Sequence, residues 1–401
     1  MRFLKLVEPG LLLGCAAIVQ AQSFSLAGRD ISVHGFFQQG FAYSSGNNYL
    51  SMDTTNGSFA MTDGGLNIST RLLGNLRIGA QAYSRNVRKI GRGQVQLDWA
   101  FAEYRFSDNF GIRGGKVKTT VGLYNDTQDM EFLHTFALLP QGTYPTDLRS
   151  NTIAHVGGDI YGQVSIGKVG RVSIVGYGGV VPDDRKGGYY LGSADSGSPI
   201  RHFDVTTRGG DVRWSAMGWA SGLVSGYSYS FRHRFASAVL TTFPGFRVPP
   251  GGLPYRYELN GEATHAFYAD YQRGKLHAAA EYRVINGDTR FTGLPVPASP
   301  YYSNSWYVLA SFRVSPLLEL GAYYDEYMVN RDKVFSPNNG IRGPVAVARF
   351  DLTRFWNVKL EGHYSDGYGS PMTAHSFYPS SNPGGFKNHT NVLLVRTGVT
   401  F

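Results

Sequence analysis

Residues 304–314 read Asn-Ser-Trp-Tyr-Val-Leu-Ala-Ser-Phe-Arg-Val, and apolar side chains recur at every second position. One set of alternate positions holds Trp306, Val308 and Phe312, while the other set includes Ser311 and Arg313. Successive side chains of a β-strand point to opposite faces of the sheet, so a period of two indicates a strand with two unlike faces. The stretch therefore predicts a strand with one apolar face and one largely polar face.

The same alternation recurs along most of the chain, for example in residues 75–85, 94–101 and 355–364. Within 102–106 the alternation changes phase, which predicts a β-bulge there, with Trp99 and Phe101 on the apolar face. The pattern predicts sixteen strands, at 31–43, 64–73, 75–85, 94–106, 110–118, 152–167, 170–180, 204–216, 219–233, 255–272, 275–286, 304–314, 317–330, 341–352, 355–366 and 390–401.

The connections between these strands alternate between short and long. Tight breaks occur at positions such as 74–75 and 273–274. A soluble sandwich or propeller has no reason to make every second connection short, whereas an outer-membrane barrel has short turns on one side and long loops on the other. We therefore predict an all-β fold, a transmembrane antiparallel up-and-down β-barrel. The long connections are 44–63, 86–93, 119–151, 181–203, 234–254, 287–303, 331–340 and 367–389.

The composition excludes several other classes of protein. The 401 residues are 42% hydrophobic and 14% aromatic, which is too apolar for a disordered chain. The 51 glycines show no three-residue period, which excludes collagen. No apolar run reaches the roughly 18 residues that a membrane helix needs.

Residues 1–21 have the pattern of a secretory signal peptide, which leaves 22–401 as the barrel. Arg2 and Lys5 precede an apolar stretch, and small residues stand at 19 and 21. A buried N-terminal helix and a lipoprotein site at Cys15 are the alternatives. Cleavage after Ala21 would remove Cys15, the only cysteine, and so exclude disulfides, thiol catalysis and cysteine-ligated zinc.

Residues 391–401 read Asn-Val-Leu-Leu-Val-Arg-Thr-Gly-Val-Thr-Phe, and they end the chain in an aromatic residue. Leu393, Val395, Thr397 and Val399 fall on one face. This stretch resembles the C-terminal signature of bacterial outer-membrane barrels, which their assembly machinery recognises. The resemblance implies that Phe401, Val399 and Val395 form a membrane-assembly signal.

Two further stretches resemble Gram-negative outer-membrane porins of the sixteen-stranded, general-porin-like family. Residues 115–126 read Gly-Lys-Val-Lys-Thr-Thr-Val-Gly-Leu-Tyr-Asn-Asp, and residues 147–158 read Asp-Leu-Arg-Ser-Asn-Thr-Ile-Ala-His-Val-Gly-Gly. The resemblance implies that the third long loop, about 119–151, folds into the barrel and narrows the pore. It also implies a homotrimer and passive diffusion of small hydrophilic solutes.

Strand parity assigns four arginines, from the second, third and fifth predicted strands, to the lumen. By the resemblance, acids of the constriction loop face these bases across the pore. Another interpretation is that the arginines pair with nearby acids and only hold the loop. The predicted pore-lining residues are Arg71, Arg77, Arg85, Arg113, Asp126, Asp129 and Glu131.

The net charge of +9 favours a channel with a weak preference for anions. A solute-selective anion channel, of the phosphate type, and a barrel hydrolase are the alternatives. Neither His-Glu-x-x-His nor Gly-x-Ser-x-Gly occurs, so we predict no enzyme, no cofactor and no metal site. The basic residues are dispersed, which argues against nucleic acid. The expected partners are copies of the chain, outer-membrane lipid and lipopolysaccharide, the barrel-assembly machinery and small solutes.

Overall fold

The computed structural model describes residues 22–26, 28–242, 247–369 and 376–401, and the predicted signal peptide lies outside them. Among the described residues, no helix has the length and hydropathy to cross a membrane. The helix α1 spans Gly188–Asp195. The strands are β1 Gln22–Leu26, β2 Arg29–Ser45, β3 Ser58–Leu73, β4 Leu76–Val87, β5 Ile90–Ser107, β6 Phe110–Lys118, β7 Ala154–Ile166, β8 Gly170–Val181, β9 Ile200–Ala216, β10 Leu223–Leu240, β11 Leu253–Arg273, β12 Leu276–Thr292, β13 Ser299–Arg313, β14 Leu318–Met328, β15 Gly340–Thr353, β16 Trp356–Asp366 and β17 His389–Thr400.

Strands β2 to β17 form a closed barrel of sixteen strands. Each of them pairs antiparallel with the next along the chain. The ring closes where β17 pairs with β2, from Asn391 opposite Ser45 to Thr400 opposite Phe36. The short β1 pairs with the start of β2. The predicted fold class, an antiparallel barrel of sixteen strands, is confirmed.

The two faces of the barrel wall differ as the alternation predicts. On β13, Val308 and Phe312 are about half exposed, whereas Tyr307 and Leu309 between them are buried. The buried positions of β12, β14 and β16 carry several charged residues, namely Glu281, Glu319, Lys359 and Glu361. An apolar outside and a charged inside is the reverse of a soluble protein and is typical of a barrel in lipid.

Several strands extend further toward the long connections than the sequence predicts. Strand β3 begins at Ser58 instead of 64, and β10 ends at Leu240 instead of 233. The predicted long connection 86–93 is a tight turn between Val87 and Ile90, with Arg88 at φ +54°. In these extensions buried positions such as Met61 and Ala236 are apolar, because loops pack against the inside, so the alternation of polar and apolar residues is lost from the sequence.

The phase change in β5 lies earlier than the predicted 102–106. Trp99 pairs with Gln81 and Leu97 with Ala82, so Asp98 is the extra residue of a bulge. Trp99 is consequently buried, and Phe101 stacks on it with the ring centroids 5.5 Å apart. The prediction that these two aromatic residues lie on the outer face is wrong. The bulge turns both Asp98 and Trp99 inward, and a second register shift follows at 105–107.

An apolar cluster fills one side of the barrel at the end that carries the long connections. Its members come from 46–57, from 376–378, from the β4–β5 turn and from segment 119–151. The backbone N–H of Leu50 donates to the carbonyl of Ser376, which joins the first two of these loops. We call this set the mouth cluster, and it comprises Tyr49, Leu50, Met52, Ile90, Leu148, Phe377 and Tyr378.

Candidate functional site: the barrel interior and segment 119–151

Segment 119–151 leaves β6 and contacts buried carboxylates of strands far around the ring. The backbone N–H groups of Ala137 and Leu138 donate to Glu361 on β16, at 2.7 and 3.3 Å. The N–H of Leu123 donates to Glu281 on β12 at 3.1 Å. These carboxylates satisfy buried backbone donors that have no secondary-structure partner, which fixes the course of the segment.

The acids of the segment are engaged by lysine, arginine and amide groups. Asp129 accepts hydrogen bonds from Lys118 at 2.8 Å and from Gln81 at 2.8 Å, and Arg149 approaches to 3.9 Å. Glu131 forms an ion pair with the fully buried Lys359 of β16. Both carboxylates are buried, so these contacts provide the compensation that a buried charge needs.

Two of the four predicted arginines have specific partners. Arg85 is buried, donates to Ser150 at 2.8 Å and to the carbonyl of Thr146, and lies 3.8 Å from Asp184. Arg113 pairs with Asp159 of the adjacent strand at 2.9 Å.

The other two arginines, Arg71 and Arg77, lie opposite each other on β3 and β4, close to the short turn at 74–75. Both are exposed, and the guanidinium of Arg77 lies 5.7 Å from the Phe101 ring centroid. The structure therefore does not bring all four arginines opposite Asp126, Asp129 and Glu131. The backbone carbonyl of Asp126 accepts a hydrogen bond from Lys118 at 2.8 Å.

Sequence reasoning did not identify Arg149, which joins the segment to the barrel wall. Arg149 lies within the segment and binds Asp98 with both terminal nitrogens, at 2.9 and 2.7 Å. Its guanidinium also lies 4.1 Å from the ring centroid of Tyr83. The alternation that assigns strand residues to the lumen does not extend to a loop residue such as Arg149. The second missed pair is Asp63 with Arg396, and continuing the alternation of β3 backward would have placed Asp63 inside.

The segment separates two cavities of different size. A cavity of about 390 Å³ is lined by residues that include Asp126, Arg213 and Asp270. On the other side of the segment, a cavity of about 50 Å³ is lined by Asp63 and Arg149, among others. Both cavities share His134 and Phe136, so the segment lies between them.

Two titratable groups of the segment have pKa values shifted by burial. Desolvation lowers the pKa of His134 to about 4, and its Nε2 lies 3.0 Å from the carbonyl of Thr127, to which the neutral ring donates. Desolvation raises the pKa of Asp147 to about 6, even though the Tyr378 hydroxyl donates to it at 2.7 Å and the Ser376 N–H at 3.2 Å. Within the described ranges, no group of three His, Cys, Asp or Glu side chains is arranged to hold a metal ion.

Comparisons with known proteins give matches of fold. No protein-family model and no curated protein matches the chain. The outer membrane channel DcaP of Acinetobacter baumannii superposes with a TM-score of 0.55 at 10% identity, covering 95% of this chain and 100% of that one. An anion-selective porin from Comamonas acidovorans superposes with a TM-score of 0.55 at 11% identity, covering 93% of this chain and 100% of that one. Salmonella typhi OmpF, in complex with daunomycin, superposes with a TM-score of 0.54 at 13% identity, covering 95% of this chain and 100% of that one.

These structures share an architecture with the chain over nearly its whole length, although few residues are identical. The closed ring of β2 to β17 agrees with that architecture. The chain therefore has the fold of the outer-membrane porins.

Proposed function

We propose that the chain forms a water-filled channel for passive diffusion of small hydrophilic solutes and ions across a bacterial outer membrane. The observation that carries this proposal is the closed strand ring with exposed apolar residues outside and buried charges inside. A closed ring leaves no unpaired strand edge in lipid, and a charged interior needs water or counter-ions.

We infer that segment 119–151 is the constriction of this channel. Its hydrogen bonds to β12 and β16 support this inference, because the segment itself begins at the end of β6. Solutes would then pass beside the segment, through the region of the larger cavity. Asp126 and Arg213 line that cavity and would meet the solutes there.

A weak preference for anions follows from the balance of free and paired charges. The acids Asp129 and Glu131 are bound by cations, whereas Arg71 and Arg77 have no carboxylate within ion-pairing distance among the described residues. Unpaired positive charge along a pore attracts anions and repels cations. An anion-selective porin among the structures of the same fold is consistent with this balance.

The remaining expectations concern export, assembly and oligomeric state. Residues 1–21 act as the signal peptide for export through the Sec pathway, and 22–401 act as the barrel domain in the outer membrane. Val395 and Val399 lie on the outer face of β17, where the barrel-assembly machinery would read them. Phe401 is bonded to Gly35 of β2 through both backbone groups, at 2.9 and 3.0 Å. A homotrimer in contact with lipid and lipopolysaccharide completes the proposal, in which the chain is not an enzyme and needs no cofactor.

Planar-bilayer recording of the purified, folded chain tests this function. We expect stepwise conductance that scales with the bulk conductivity of the salt, because ions in a water-filled pore move nearly as in solution. In a potassium chloride gradient, we expect a reversal potential whose sign indicates that chloride permeates more readily than potassium. Heat-unfolded protein is the control. A folded barrel that inserts without conducting would contradict the proposal.

A further inference from the structure

Arg232, on the inner face of β10, is a buried cation that stands opposite Glu262 of β11 but has no carboxylate within ion-pairing distance among the described residues. Its side chain is 8% exposed, and its Nε has no hydrogen-bond partner. Within the described ranges, none of its nitrogens forms an ion pair or a hydrogen bond. A guanidinium stays charged at any ordinary pH, and an unpaired buried charge is strongly unfavourable.

Three buried hydroxyl groups occupy inner-face positions next to Arg232, on β10 itself and on β8 and β9. Thr207 of β9 pairs directly with Arg232, and Tyr177 of β8 pairs with Gly209, which in turn pairs with Ser230. The four side chains thus occupy neighbouring positions on the inner face. The hydroxyl oxygens of Tyr177, Thr207 and Ser230 are buried. The Tyr177 hydroxyl lies against the other two hydroxyls, but none of the three makes a well-aligned hydrogen bond. Buried hydroxyls are rarely left unsatisfied.

The neighbouring carboxylate is already engaged by another arginine. Glu262 of β11 accepts a hydrogen bond from Arg234 at 2.7 Å, and Arg234 also donates to the hydroxyl of Tyr189 at 2.6 Å. Two guanidinium groups therefore share one carboxylate, which leaves one positive charge in excess. The next acid on this wall, Asp211, accepts hydrogen bonds from Ser228 and Tyr268.

We propose that Arg232, with the hydroxyls of Tyr177, Thr207 and Ser230, binds a small oxyanion, either inorganic phosphate or the carboxylate of a solute. The planar fork of a guanidinium matches the paired oxygens of both groups, and hydroxyls can donate to the remaining oxygens. Water could satisfy the hydroxyls, but it would not neutralise the charge. The proposal rests on the proposed function only in that the anion reaches the site through the barrel interior.

Titration calorimetry of the folded full chain in detergent, with inorganic phosphate as the probe, tests the site. We expect Arg232→Gln to weaken phosphate binding by about tenfold, because a charge-assisted hydrogen-bonded contact is lost. Tyr177→Phe removes one hydroxyl and should weaken binding by a few fold. Arg171→Gln is the matched control. It removes the same charge from an exposed position on the same wall, six residues before Tyr177, and should leave the affinity unchanged.

Competition with acetate distinguishes a phosphate site from a carboxylate site. Equal affinities in the wild type and in Arg232→Gln would overturn the proposal, as would a wild type that binds neither phosphate nor acetate or a loss of equal size in Arg171→Gln. If Arg232→Gln does not fold, Tyr177→Phe and Thr207→Val carry the same comparison.

Conductance in potassium chloride, recorded in parallel, separates this proposal from the channel. If the chain does not conduct but still binds phosphate in a way that depends on Arg232, the proposed anion site stands and the proposed channel function is contradicted. Conductance combined with phosphate binding that ignores Arg232 would contradict the site alone.

Discussion

Lys359 of β16 and Glu131 of segment 119–151 form a buried ion pair between the barrel wall and the segment. The ammonium group of Lys359 also donates to the backbone carbonyls of Glu131, His134 and Phe136, at 2.9, 2.6 and 3.1 Å. One ammonium group therefore contacts four oxygen atoms of the segment. Because these contacts span both ends of the short turn at 131–136, Lys359 attaches this turn to β16.

Lys359→Met should release this part of segment 119–151. The substitution leaves the Glu131 carboxylate and three carbonyls buried without their donor, which typically costs about 3–5 kcal/mol. We expect a lower thermal midpoint and a larger, noisier single-channel conductance. Lys359→Met combined with Glu131→Gln should recover part of the stability, since the unpaired charge is removed. Conductance and midpoint that match the wild type would contradict the role of this pair.

Arg71 and Arg77 should contribute to ion preference more than the buried arginines do. Both are exposed and free of carboxylates among the described residues, so their positive charge acts on passing ions. Arg71→Gln with Arg77→Gln should shift the reversal potential in a salt gradient toward cations. Asp126→Asn should shift it the other way. An unchanged potential in the double variant would remove the two arginines from the selectivity filter.

Arg85 is expected to behave differently from Arg71 and Arg77. Its guanidinium donates to the carbonyl of Thr146 and to Ser150, and so holds the end of segment 119–151. Arg85→Gln should therefore change the conductance and the thermal midpoint more than the reversal potential. A pure shift in reversal potential at unchanged conductance would show that Arg85 acts on ions directly.

Acidification should loosen segment 119–151 through His134. Burial lowers the pKa of this imidazole to about 4 from its usual 6.5, so the folded state favours the neutral ring. This contribution to stability is present above pH 6.5 and is lost as the pH falls through about 4, with a total of about 3 kcal/mol at most. Thermal midpoints measured from pH 7 to pH 3.5 should show the loss, and His134→Gln should remove most of it. Identical pH profiles for the two proteins would contradict this assignment.

The contribution of Asp147 to stability should depend on pH in the opposite direction to that of His134. Burial raises the pKa of its carboxyl to about 6, so the folded state favours the protonated form. Its contribution to stability is full below pH 3.8 and is lost as the pH rises through about 6. Asp147→Asn keeps an acceptor for Tyr378 and Ser376 without the charge. We expect the variant to be more stable than the wild type at pH 8 and nearly equal at pH 4, and thermal midpoints at the two values check this. A variant less stable at pH 8 would contradict the buried-charge argument.

The fold was predictable from the sequence because the wall faces two different environments. The residues of a strand such as 304–314 lie alternately on the apolar outer face and on the charged inner face, so apolar side chains recur with a period of two in the sequence. The strand count and the antiparallel order follow from that period and from the alternation of short and long connections. The sequence predicts the bulge in 102–106, whereas the structure has it at Asp98. Residues on both sides of a bulge alternate regularly, so the sequence alone does not fix the position at which the phase changes.

The interior contacts were less predictable, because they join residues that are distant in sequence. The contact of Arg149 with Asp98 depends on the bulge and on the course of a loop without regular structure. Arg232 did carry a signal, since it continues the inner set of Ser228 and Ser230 against the aromatic outer positions of the same strand. The sequence did not reveal that Glu262, which stands opposite Arg232 on β11, is already bound by Arg234.

The seam between β17 and β2 means that the wall cannot close before β17 has been made. The backbone groups of β2 from Phe36 to Ser45 find their partners between Asn391 and Thr400, about 350 positions later in the polypeptide. A product arrested before β17 would keep two rows of unsatisfied amides, and a bilayer offers nothing to bond them. Such a fragment should therefore not persist as a stable barrel in a bilayer.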